Sequence, residues 1–179
     1  MTILDIYKYH MISKLGNISL NFAELIARVN SMDYFQSVDY LDNEAETFSN
    51  LSKYYTNDKM QNFKYKSAEL TNMVPDSVLE SLGFDSSFKT VIITKQPPGS
   101  FVAPHTDKFK SAAIKDRDVT RLWIPLTDGD FGQALFVGED ILHRFQAGDV
   151  YTFPANLLHS SANAGTTDRY VLILYTTRR

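Results

Sequence analysis

Cysteine is absent from the 179-residue chain. Disulfides, thiolate metal sites and cysteine nucleophiles are therefore excluded together. Positive charge is scarce as well: 18 Lys and Arg stand against 21 Asp and Glu, and the longest basic run is Arg178-Arg179. Nucleic acids and membrane surfaces attract proteins through a basic footprint, so neither is an expected partner. No apolar run approaches a membrane span, and the opening "MTILDIYKYHMISKLG" lacks the apolar core of a secretory signal. The expectation is a soluble, cytoplasmic protein. Pro- or Gly-rich linkers, internal repeats and low-complexity tracts are missing too, which argues for a single domain over residues 1–179. Aromatic residues, by contrast, are plentiful. Ten Tyr and twelve Phe in a chain that is 44% apolar can build a large core.

The two halves carry different patterns. In residues 1–87 the stretch "SLNFAELIARVNSM" sets Leu20, Ala23, Leu25, Ile26 and Val29 near helical spacing, behind Ser19 or Asn21 as N-cap. "VPDSVLESLGF" predicts a short helix that starts near Pro75 or Asp76 and stops at Gly83. Residues 39–68 are polar and tyrosine-rich without a period, so loops and one short helix are expected there. From Phe88 onward the pattern changes to short strands separated by turn signals. They read as 88–96, 101–106, 119–126, 133–137, 141–146, 150–154, 159–162 and 169–176. About eight such strands predict a mainly β core over 88–177, a double-stranded β-helix (a cupin-like jelly roll). The helices of the N-terminal half would cover one sheet.

Within this pattern "PPGSFVAPHTDKF" places His105 and Asp107 two residues apart behind a Pro-Gly turn. Chance supplies a His-x-Asp/Glu match in about half of chains with this composition, so the tripeptide alone decides nothing. Its setting adds meaning. Residues i and i+2 of a strand share a face, so the two side chains converge at the end of the predicted strand, and His159 opens a later one. Two imidazoles and one carboxylate form a donor set suited to non-haem Fe(II). Arg169 alternates with Val171 and Ile173 and should face the interior, where an unpaired charge is very costly. No acidic residue of a neighbouring strand is an evident partner, whereas the carboxylate of a small ligand would fit the guanidinium fork. Thr94 points inward with Ile92 and could add a hydroxyl. His143, alternating with Ile141 and Phe145, reads as a packing residue.

The stretches "VIITKQPPGSFVAPHTD", "TRLWIPL" and "FQAGDVYTFPANLLHSSANAGTTDRYVLILY" resemble the 2-oxoglutarate- and Fe(II)-dependent oxygenases. The likeness is nearest to the aspartyl/asparaginyl β-hydroxylase-like group and its free-proline 3-hydroxylase relatives, and it covers residues 88–177. It rests on order and spacing: Pro-Gly before His-x-Asp, Arg-x-x-x-Pro-Leu, Gly-Asp-x-x-x-Phe, a distal His, then Arg ten residues on.

The resemblance implies that His105, Asp107 and His159 bind iron. It also implies that Arg169, assisted by Thr94, holds the far carboxylate of 2-oxoglutarate. Arg121 matches a pocket arginine that holds a carboxylate of substrate or cosubstrate; a salt bridge with Asp118 or Asp128 is the structural alternative. Trp123 stands where the aspartyl/asparaginyl enzymes carry a second pocket histidine, and lines either pocket or core. Asp107 stands where vertebrate-type members have glycine, and its presence argues against halogenation. The implied activity is hydroxylation of an unactivated C–H bond with Fe(II), 2-oxoglutarate and O2, releasing succinate and CO2. The substrate would bear a carboxylate, as an amino acid free or within a peptide. The alternatives are a cupin-like metalloenzyme that does not use 2-oxoglutarate and a non-catalytic jelly-roll binding domain.

Overall fold

A computed structural model describes residues 11–34, 62–107, 119–154 and 156–178. The elements in chain order are β1 (Ser13–Asn17), α1 (Phe22–Asn30), β2 (Phe63–Tyr65), α2 (Ala68–Asn72), α3 (Asp76–Ser81) and β3 (Phe84–Gln96). They continue with β4 (Ser100–His105), β5 (Val119–Pro125), β6 (Gln133–Val137), β7 (Asp140–Leu142), β8 (Asp149–Thr152), β9 (His159–Asn163) and β10 (Arg169–Arg178). The strands form a six-stranded sheet, β1-β8-β5-β10-β3-β2, and a four-stranded sheet, β4-β9-β6-β7. Every pairing in both is antiparallel. This is the jelly roll expected from the sequence, and β3 to β10 are its eight anticipated strands.

The six-stranded sheet separates two apolar layers. Leu25 and Val29 of α1, Leu70 of α2 and Leu79 of α3 pack on Val91, Ile93, Leu122, Ile124, Leu172 and Leu174. On the opposite face Trp123, Tyr151, Phe153, Val171 and Ile173 meet Leu135 and Val137 of the smaller sheet. Strand β10 is covered on both faces, which is why "YVLILY" is apolar at every position. Its period of two sends Tyr170, Leu172 and Leu174 to the helices and Arg169, Val171 and Ile173 to the barrel interior.

The helices begin and end where their chemistry dictates. Asn21, not Ser19, caps α1; its Oδ1 accepts the Glu24 N–H at 3.2 Å while its amide donates to the Glu24 carboxylate at 2.9 Å. Pro75 is the N-cap of α3, and Gly83, at φ +80°, takes the chain from that helix into β3.

Four sequence expectations need correction. β3 starts at Phe84 rather than Phe88, because its first residues pair with the far end of β10 beyond a register shift. β1 was not anticipated at all. Its side chains are mostly exposed, so it has no hydrophobic pattern, and it is held by pairing with β8 and by Lys14 on the buried Asp149 at 2.7 Å. The strand expected over 141–146 ends at Leu142. Beyond it His143 is exposed and only Phe145 turns inward, edge-on to Trp123 with ring centroids 5.2 Å apart. Of the tyrosine-rich segment 39–68, residues 39–61 lie outside the described residues; its end holds a strand, β2, where only loops and a short helix were expected, and Tyr65 of that strand belongs to the helix-side core.

Candidate functional site

A tight turn and a bulge deliver the first two donors. Ser100 N–H donates to Pro97 O at 3.3 Å across Pro98-Gly99, with Gly99 at φ +76°, a position that favours glycine. The chain then enters β4, whose ladder with β9 slips by one residue between Val102 and His105. Pro104 sits in the slip and has no N–H to give to a ladder. The extra residue re-aims the strand end. Beyond it His105 pairs directly with His159, the first residue of β9, and the imidazole centroids lie 4.2 Å apart.

Each ring is fixed by its own backbone. Nδ1 of His105 is 2.8 Å from Ala103 O, and Nδ1 of His159 is 2.9 Å from Leu157 O. A carbonyl only accepts, so Nδ1 carries the proton and Nε2 keeps the lone pair. Both Nε2 atoms face Asp107 Oδ1, at 3.8 Å from His105 and 3.7 Å from His159. The three donor atoms lie within 4.8 Å of one another. Two metal bonds span up to about 4.2 Å, so the two imidazole-to-carboxylate separations suit a shared cation. Burial keeps both imidazoles neutral, the form a metal needs: His105 is pushed down to about 4, and His159, with Arg121 also beside it, to about 3.

The larger sheet closes the site from the other side. Arg121 of β5 is 6% exposed, and its Nη1 lies 2.5 Å from both Asp107 Oδ2 and His159 Nε2. Phe153 lies beneath the guanidinium at 5.0 Å. The salt bridge drawn from sequence to Asp128 is not made: Asp128 is exposed and accepts the Ala147 N–H. Asp118 lies outside the described residues. Tyr175, opposite Arg121 on β10, brings its hydroxyl to 3.5 Å from Asp107 Oδ2. Burial pushes that hydroxyl up to about 12. Tyr175 was not singled out from sequence, although it shares the face of Arg169, Val171 and Ile173.

Arg169 lies further into the barrel and is 3% exposed. Its Nη1 donates to Ala134 O at 2.9 Å and Ala162 O at 3.3 Å, and its Nη2 donates to Gln96 Oε1. Nε has no partner among the described residues. Every acceptor is neutral, as the sequence led us to expect, and burial pushes the guanidinium down to about 10, still protonated at neutral pH. Trp123 is 3% exposed and lies 6.0 Å beneath it, packed edge-on to Tyr151 and Phe145. Thr94, directly opposite Val171, faces the same interior and donates weakly to Val171 O at 3.5 Å. Gln96 was overlooked, yet Ile92-Thr94-Gln96 alternation placed it on this face.

Solved structures share the architecture. A prolyl-4-hydroxylase of Pseudomonas putida matches with TM-score 0.61 at 16% identity, over 99% of this chain and 97% of that one. A prolyl hydroxylase of Trichoplax adhaerens, in complex with a hypoxia inducible factor peptide fragment, matches with TM-score 0.61 at 10% identity, over 98% and 87%. The viral collagen prolyl hydroxylase of Paramecium Bursaria Chlorella virus-1, as its 2-oxoglutarate complex, matches with TM-score 0.56 at 12% identity, over 99% and 100%. At these identities the likeness is one of fold. No curated protein sequence matches the chain.

Jelly roll and His-Asp-His cluster together fit a protein of the 2-oxoglutarate- and Fe(II)-dependent oxygenase type. Within that class the match is specific: over residues 15–179 the chain belongs to the aspartyl/asparaginyl β-hydroxylase family. It is a 2-oxoglutarate-dependent non-haem iron hydroxylase, with Fe(II), 2-oxoglutarate and O2 as its cofactor and cosubstrates. Among the described residues no helix is long and apolar enough to cross a membrane.

Proposed function

We propose that the enzyme hydroxylates an unactivated C–H bond of a carboxylate-bearing substrate, an amino acid free or within a peptide. Fe(II) would be held by Nε2 of His105, Nε2 of His159 and the Asp107 carboxylate, and 2-oxoglutarate by Arg169. The observation that carries this reading is the buried guanidinium of Arg169 among neutral acceptors. Along β9, His159 and Ala162, whose carbonyl meets Arg169, are three residues or about 10 Å apart. That is roughly the reach of a five-carbon dicarboxylate with a metal bond at one end and a hydrogen bond at the other.

When bound, iron would supply the redox chemistry by which O2 gives one oxygen atom to 2-oxoglutarate, released as succinate and CO2, and the other to the C–H bond. The chain supplies position. The Nδ1 bonds of His105 and His159 fix which ring nitrogens face the centre. Thr94, whose hydroxyl donates to Val171 O on the same interior face, would add a polar group along the cosubstrate's path, and Trp123, 6.0 Å from the Arg169 guanidinium, would wall it. His159 Nε2 cannot serve a metal and Arg121 together, so metal binding releases an Arg121 N–H for a substrate carboxylate. The peptide held by the Trichoplax relative supports peptides beside free amino acids as substrates.

The test is succinate release with Fe(II), 2-oxoglutarate and O2 over a panel of amino acids and short peptides, each as the acid and as the carboxamide. Acids should stimulate release and carboxamides should not. Equal stimulation by both forms, or by no compound at all, contradicts the proposal.

A further inference from the structure

One buried side chain at the Arg169 end has no place in the scheme above. Gln96, the last residue of β3, is 1% exposed and stands directly opposite Arg169 in the ladder. Its Nε2 donates to Ser100 O at 3.1 Å and to Ser161 O at 3.3 Å. Those carbonyls accept only, so turning the amide over would set oxygen against two oxygens. Oε1 is therefore committed to the other side, where it accepts from Arg169 Nη2 and from Ser161 Oγ at 3.3 Å. The backbone is pinned as well, because Gln96 O accepts from Asn163 Nδ2 at 2.8 Å. Gln96 thus joins β3, the Pro-Gly turn and β9 around one guanidinium.

The choice of an amide here has a consequence for charge. A glutamate of the same length would reach Arg169 and neutralise it inside the protein. Glutamine gives the guanidinium a fixed acceptor and no counter-charge. A cation buried among dipoles is expensive to retain unless a ligand anion completes it.

We propose that Gln96 is a positioning and specificity-determining residue. Its neutral tether orients Arg169 while leaving the positive charge for a ligand carboxylate, so the site selects 2-oxo dicarboxylates over 2-oxo monocarboxylates. This rests on the reading that Arg169 receives the far carboxylate of the cosubstrate.

The test compares 2-oxoglutarate with 2-oxopentanoate, which has the same chain length and no far carboxylate. Both are titrated calorimetrically into the Fe(II)-loaded protein under anaerobic conditions. Wild type should prefer 2-oxoglutarate strongly. Gln96→Glu should cut that preference at least tenfold, chiefly by weakening 2-oxoglutarate, with Fe(II) binding retained. A merely structural role would weaken both acids alike, and that result, or an unchanged preference, overturns the proposal. If Gln96→Glu does not fold, Gln96→Met removes the acceptor without adding charge. It should then cut the preference severalfold, and an unchanged preference is equally fatal. Arg169→Ala separates the two levels of inference: if it keeps the wild-type preference, the reading of Arg169 itself fails. If Arg169→Ala loses the preference and the Gln96 variants keep it, only the role of Gln96 fails.

Discussion

The two ends of the barrel interior handle charge in opposite ways. At the His105 end, a carboxylate, a guanidinium and two neutral imidazoles crowd together, with Asp107 and Arg121 2.5 Å apart. At the Gln96 end, a single guanidinium sits among two backbone carbonyls and an amide oxygen. The first is a cluster of donors able to exchange one cation for another. The second is a cation without a counter-charge among its hydrogen-bond partners. A ligand that joins a metal to a carboxylate would complete both, which is the physical content of assigning a 2-oxo dicarboxylate to this barrel.

Substitutions should divide along that line. The largest effect is expected from His159→Ala, which removes one of three donors: Fe(II) affinity should fall by more than about 100-fold in equilibrium dialysis. A smaller fall would mean that the cluster is not the metal site. Arg169→Ala should leave Fe(II) affinity in place and weaken 2-oxoglutarate by roughly 10- to 100-fold, the worth of a charge-assisted bond to a buried group, read by titration calorimetry.

Arg121→Leu sharpens the contrast further. Removing a cation beside Asp107 and His159 takes away a competitor for their lone pairs, so Fe(II) should bind about 3- to 10-fold more tightly. Weaker binding would show that Arg121 mainly orients Asp107. The smallest effect lies outside the barrel. Asn21→Ala removes the cap of α1 and should lower stability by about 1 kcal/mol in denaturant unfolding, with 2-oxoglutarate affinity unchanged.

Both ends left marks in the sequence, of different kinds. The convergence of His105, Asp107 and His159 was legible from the order of motifs, although a bulge and the residues past the end of β4, rather than plain strand alternation, bring Asp107 to the two imidazoles. Arg169 was legible because a charge among Val171 and Ile173 needs a reason. Arg121 pointed inward as its alternation required, but its carboxylate partner is Asp107 itself, fourteen residues back and just past the end of β4 in the other sheet. No spacing rule pairs residues across two sheets. Gln96 and Tyr175 share the face of residues that were identified, and they escaped notice because an amide or a phenol in a strand carries no alarm comparable to a buried charge. β1 was invisible for the converse reason: its exposed side chains record nothing of the backbone pairing and the Lys14–Asp149 contact that hold it. Hydrophobic periodicity reports burial, and a strand added at a sheet edge can form without it.

The most direct measurement is the visible absorption that develops when 2-oxoglutarate chelates Fe(II), recorded anaerobically on three proteins. Wild type should develop the band at low 2-oxoglutarate concentration. Arg169→Ala should develop it only at much higher concentration, and His159→Ala at none. An undiminished band in His159→Ala, or no band in wild type, would contradict the account of a barrel that binds a cation at one end and an anion at the other.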